Sequence, residues 1–187
     1  MKVKLPALEK NILKYRALQM TLLLSKVESL REFVIGSIRA TDDIPGLSPT
    51  PKRIPPHSKD PMKKALLVLV SESIISEQEM QDIETIISIR NDIGHRIHQV
   101  VGDISFPDLF RGSLSAYDYF AVDRIENYRA KISEGMRGRF IHLLSLRELS
   151  FEQAEATYKE ELGRLRKRMD RQWKARHSAR SGDDSQP

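Results

Sequence analysis

Arg90, Asn91, His95 and His98 lie within one short segment, Ile86-Ile87-Ser88-Ile89-Arg90-Asn91-Asp92-Ile93-Gly94-His95-Arg96-Ile97-His98. These residue types form a set able to cleave a phosphodiester. An imidazole titrates near neutral pH and can take or give a proton. A guanidinium matches phosphate oxygens geometrically and keeps its charge throughout. An amide can orient the imidazole or a ribose hydroxyl. RNA carries its own nucleophile, the 2′-hydroxyl, so this chemistry needs no metal. The sequence has no H-E-x-x-H pattern, no carboxylate–histidine cluster and no cysteine, and neither a metal nor another cofactor is expected.

A helix must position these side chains. At about 100° per residue, with Asn91 at zero, Ile86, Ile89, Ile93, Ile97 and Val100 fall between about 160° and 240° and form a core-facing stripe. Asn91, Gly94, His95 and His98 fall within about 60° of zero, on the opposite face. Arg90 falls at about 260°, at the edge of the apolar arc. A guanidinium there needs a carboxylate, a set of carbonyls or a bound anion. Gly94 opens the polar face at a cost of about 1 kcal/mol relative to Ala.

The rest of the chain also reads as helical. Apolar residues from Leu8 to Ile38 predict a first helix from about Leu5 to Arg39. Residues 41–60 hold five of the nine prolines and read as a long loop, expected to be mobile. Asp60-Pro61 predicts an N-cap and first turn for a helix over Met62–Ile75. Ser76-Glu77-Gln78-Glu79 is a capping box that starts the motif helix, which should run to about Val101 and stop at Gly102. Phe106-Pro107-Asp108 begins a connection. A fourth helix follows over roughly Ser113–Ser133, broken by Gly135 and Gly138. A fifth spans about Ser150–His177, with a stripe of Leu162, Leu165, Met169 and Trp173 that predicts a packed tryptophan. Arg137 and Arg139, beside Gly138, carry a weak anion-site signal. The fold expected is an all-α bundle of about five helices.

Charge is distributed unevenly. The chain carries 31 basic and 26 acidic side chains, a formal net charge of +5, and residues 164–187 hold eight of the basic ones against three acids. Residues 1–163 are therefore formally neutral. This excludes a uniformly basic coat protein and predicts one helical domain over 1–163, with a basic helical extension over 164–187 that ends in a disordered tail. Within that extension Arg164, Arg166, Lys167, Arg168, Arg171 and Lys174 are candidates for phosphate contacts. The longest apolar run, Ala65–Val70, is far short of a membrane span. Met1–Lys14 has no signal-peptide core, and a cytoplasmic location away from membranes is expected.

Arg90-Asn91-x-x-x-His95 resembles the arginine–polar–histidine signature of the HEPN superfamily. These are small all-helical proteins, mostly prokaryotic. Many are metal-independent endoribonucleases of toxin–antitoxin, abortive-infection and CRISPR-linked defence systems. The resemblance covers this helix specifically and the rest of the chain only in helicity and size. It implies a homodimer whose two motif helices meet, so that two arginine–histidine sets form one composite site. It implies attack by the 2′-hydroxyl, leaving a cyclic phosphate. Arg90 would then bind and polarise the phosphate, His95 would be the acid/base and Asn91 would orient. His98 is not part of the family motif and is an auxiliary candidate from the wheel alone. An antitoxin or defence-complex protein is a further expected partner. In the branch paired with nucleotidyltransferase antitoxins a tyrosine usually follows the histidine by two. Ile97 stands at that place here, which argues against modification by such a partner. The same residues leave open a HEPN-like module without catalysis, binding RNA or a nucleotide or serving as an adaptor.

Overall fold

The computed structural model describes residues 5–46, 51–105, 117–143 and 146–183, with positions 94, 96–101, 105, 146–149, 177 and 179–183 described in backbone only. Those residues form five helices and no strand: α1 (Ala7–Asp42), α2 (Pro61–Ser71), α3 (Glu77–Ser105), α4 (Ala121–Met136) and α5 (Leu146–Asp183). The chain is all-α, as its helical periodicity predicts. The start expected for the fourth helix at Ser113 lies outside the described residues; α5 continues to Asp183, past the end expected near His177, and residues 184–187 of the expected disordered tail lie outside the described residues. The chain divides into two compact units. One comprises Met1–Leu22, Asp92–Tyr119 and Gln153–Pro187; the other comprises Leu23–Asn91 and Phe120–Glu152.

Local sequence chemistry sets several helix ends. The Ser76 Oγ accepts from the Glu79 amide at 3.2 Å, and the Glu79 carboxylate accepts from the Ser76 amide at 2.8 Å. This is the reciprocal pattern that the capping box predicts. Lys131 on α4 also binds the Glu79 carboxylate, at 2.6 and 2.7 Å. The lysine and the capped amide hold the Glu79 carboxyl below its ordinary range. A depressed carboxylate stabilises the fold above its unfolded pKa and loses that contribution as pH falls through its folded value. The melting temperature should therefore decline on acidification below the ordinary glutamate range. Glu79→Gln should flatten part of that decline in a pH series of thermal melts; an unchanged pH dependence would contradict the assignment.

Other ends differ from expectation. Asp60 precedes α2 without a side-chain cap bond, although Pro61 does open the helix. The helix stops at Ser71 rather than Ile75, because Ser73 takes a left-handed backbone (φ 57°) and turns Ile74 and Ile75 into the core at 5% and 3% exposure. Gly135 does not break α4, which continues to Met136. Its role is close approach: a Cβ built there would lie 2.6 Å from the Ile74 Cγ2. Replacing a helical Gly by Ala ordinarily stabilises by about 0.5–1 kcal/mol. Here Gly135→Ala should instead lower the melting temperature, by overpacking worth about 1–3 kcal/mol. A thermal melt decides the sign.

In the second unit, Leu30, Ile38, Leu66, Leu69, Ile83, Ile86, Ile125 and Ile132 are fully buried, each contributing about 1.5–3 kcal/mol. The proline-rich segment makes packed contacts with α1 over residues 51–60. Ile54 is 1% exposed. The buried Asp42 carboxylate accepts from the Arg53 amide at 2.9 Å and from its Nε at 2.7 Å, and Arg53 lies over the Phe140 ring. Arg39 donates to the Pro55 carbonyl at 3.1 Å. A proline-rich loop offers few amides of its own, so side chains of α1 satisfy its carbonyls. Arg137 and Arg139 form no anion site of their own: Arg137 pairs with Glu134, and Arg139 donates to the Glu72 carbonyl at 2.7 Å.

The first unit is organised around Arg16, 2% exposed. Its guanidinium makes a two-pronged contact with Asp103 at 2.7 and 3.1 Å, and its Nε donates to the Tyr119 hydroxyl at 2.9 Å. Its central carbon lies 4.7 and 5.2 Å from the ring centroids of Tyr117 and Tyr119, which meet each other edge to face. Burial pushes the Tyr117 hydroxyl pKa up. α5 lies along the start of α1 through Asn11–Gln172 and Glu9–Arg176 bonds.

Candidate functional site

α3 is one unbroken helix over the whole motif. Of the predicted stripe Ile86 and Ile93 are buried and Ile89 is only half-buried; Ile83, a turn earlier, is buried too. Ile97 and Val100 are described in backbone only. Arg90 and Asn91 belong to the second unit and His95 to the first.

Arg90 occupies the edge position expected of it, with its side chain 33% exposed. The carboxylate it needs comes from α1: Glu28 stands 3.7 Å from its Nη2. That spacing is an ion pair without a hydrogen bond. The Arg90 Nε is buried and has no hydrogen-bond partner. Asn91 is exposed, and its Oδ1 accepts from the Arg90 Nη1 at 3.2 Å. The contact the amide makes is with the guanidinium. His95, one turn on, is exposed and takes no hydrogen bond or ion pair among the described residues. The His98 side chain lies outside the described residues.

Arg90 and Asn91 also line a cleft of about 190 Å³ whose other walls come from α1 (Val27, Glu28, Arg31) and the entry to α2 (Lys59, Asp60, Met62). Arg31, Lys59 and Glu28 carry no signal in their local sequence. Their placement depends on α1 and the α2 entry reaching the same stretch of α3.

The basic candidates of the C-terminal extension all stand exposed on α5. Arg164 is engaged by Glu160 and Glu161 on its own helix. Arg171 donates to the Lys167 carbonyl. Arg166, Lys167, Arg168 and Lys174 hold no ion pair among the described residues. Along the apolar stripe Leu165 is 1% exposed and Trp173 is 55% exposed. The tryptophan that periodicity predicts to be packed is thus more than half exposed. No described helix is long and apolar enough to cross a membrane.

No protein-family model matches the chain, and neither a curated protein nor a solved structure matches it.

Proposed function

We propose that the chain is a metal-independent endoribonuclease of HEPN type, acting as a toxin or anti-phage defence effector. The observation that carries this reading is Arg90, set in a cleft with a buried, unpartnered Nε on the same unbroken helix as the exposed His95. A scissile phosphate would accept from Arg90, which Asn91 steadies from the side. His95 would take the 2′-hydroxyl proton or protonate the leaving 5′-oxygen, in a homodimer where the partner's motif completes the pair. The 2′-oxygen bonds to phosphorus as the phosphorus–O5′ bond breaks, leaving a 2′,3′-cyclic phosphate and a 5′-hydroxyl. A cytoplasmic location and an antitoxin partner follow from the same reading.

Purified protein incubated with total RNA and tRNA in EDTA is expected to yield fragments with those ends. Strict dependence on a divalent ion, or 3′-hydroxyl ends, would contradict the mechanism. The HEPN-like binding module without catalysis would bind RNA and leave it intact.

A further inference from the structure

The cleft at Arg90 does not end there. A second hollow of about 420 Å³ runs along α1 past Arg31, Ile35 and Arg39. The two hollows share Glu28, Arg31 and Pro61, so they adjoin within the second unit and are taken together as a groove. Arg31, Ile35 and Arg39 recur every four residues and therefore lie along one face of α1, with the two arginines about 12 Å apart.

The groove is built from cations that the fold leaves incompletely used. Arg31 and Lys59 are exposed and hold no hydrogen bond or ion pair among the described residues. Arg39 is bonded to carbonyls of Pro55 and Pro56, and its Nε is buried without a partner, as is that of Arg90. Three carboxylates line the same groove, Glu28, Glu32 and Asp60, and Asp60 does not cap the adjacent helix. Four cations face three anions, so the groove is close to balanced overall. Arg31, Lys59 and Asp60 are the charges there without a side-chain partner among the described residues, two cations against one anion. Val27, Met62 and Ile35 add apolar lining. Separated cations beside an apolar lining suit a chain of phosphates joined by sugars.

We infer that this groove binds the backbone of single-stranded RNA, with Arg31 and Lys59 contacting phosphates that flank the one at Arg90. This rests on the ribonuclease reading for the identity of the polyanion. It differs from expectation in placing strand contacts on α1 and the α2 entry as well as on α5.

The test is salt-dependent binding of an uncleavable 2′-O-methyl RNA oligomer, followed by fluorescence anisotropy. The proteins are wild type, Arg31→Gln/Lys59→Gln and the α5 variant Lys167→Gln/Arg168→Gln. The log–log salt slope should shrink by about 0.7 for each lost phosphate contact in the groove variant. Its melting temperature should match wild type, because neither side chain has a partner to lose. An unchanged slope and affinity in the groove variant, while wild type binds the oligomer and cleaves RNA, overturns the groove and leaves the ribonuclease reading standing. Preference for duplex DNA over the oligomer overturns the single-strand assignment. A wild-type protein that binds no RNA overturns both readings.

Discussion

His95→Ala protein is expected to lose RNA cleavage by about 10²- to 10⁴-fold, the usual contribution of a positioned general acid or base. It should melt like wild type. His95 is exposed and takes no hydrogen bond or ion pair among the described residues, so its removal leaves no buried group unsatisfied. Loss of cleavage with an intact fold separates a chemical role from a structural one. The uncleavable oligomer should still bind, because the phosphate contacts come from arginines and lysines. Arg90→Lys is the companion variant. It keeps the charge but loses the planar fork that matches two phosphate oxygens, and it loses the Nη1 that Asn91 steadies. It should therefore be impaired in cleavage despite conserving charge. If His95→Ala cleaves RNA and arrests cell growth as wild type does, the proposed mechanism fails.

Arg16→Ala is expected to give the largest loss of stability, about 3–5 kcal/mol, the range for removing one partner of a buried ion pair. That is a large share of the 5–15 kcal/mol typical of a folded domain, as a rough scale. The reason is the number of groups that depend on one guanidinium. Asp103 loses both prongs, the Tyr119 hydroxyl loses the Nε donor, and two tyrosine rings lose the cation beside them. The Asp103 carboxylate is 24% exposed and keeps some water, which places the cost toward the lower end. Arg16→Lys should recover only part of it, since an ammonium cannot make the two-pronged contact. A double-mutant cycle with Asp103→Asn, read by urea denaturation, measures the coupling. Additive losses would show that the two side chains act independently.

The packing of α5 also changes how its basic stretch is best probed. Deleting residues 164–187 would remove Gln172 and Arg176, which bond the helix to α1, together with the buried Leu165. Point changes at Lys167 and Arg168 leave those contacts in place.

The sequence by itself determined the features that rest on short-range physics. The capping box at Ser76–Glu79 closes within one turn, so its residues are sufficient to specify it. The isoleucine period of α3 dictates which face turns inward, and with it the edge position of Arg90. The all-α class follows from periodicity alone. The basic excess in residues 164–187 is a count, readable without coordinates.

Only the tertiary structure decided what each exposed or edge position meets. Gly135 carries the same breaker signal wherever it occurs; that it is a contact point follows from Ile74 arriving across from it. Asp42 and Arg53 look like loop charges until the loop folds back and buries one against the other. Trp173 continues the apolar stripe and is nevertheless more than half exposed. Arg90 was marked as needing an anion, but Glu28, Arg31 and Lys59 come from distant stretches of chain with no periodic link to it. Burial and charge pairing between remote segments depend on where whole helices are laid, and helix placement is set by the summed packing of the core.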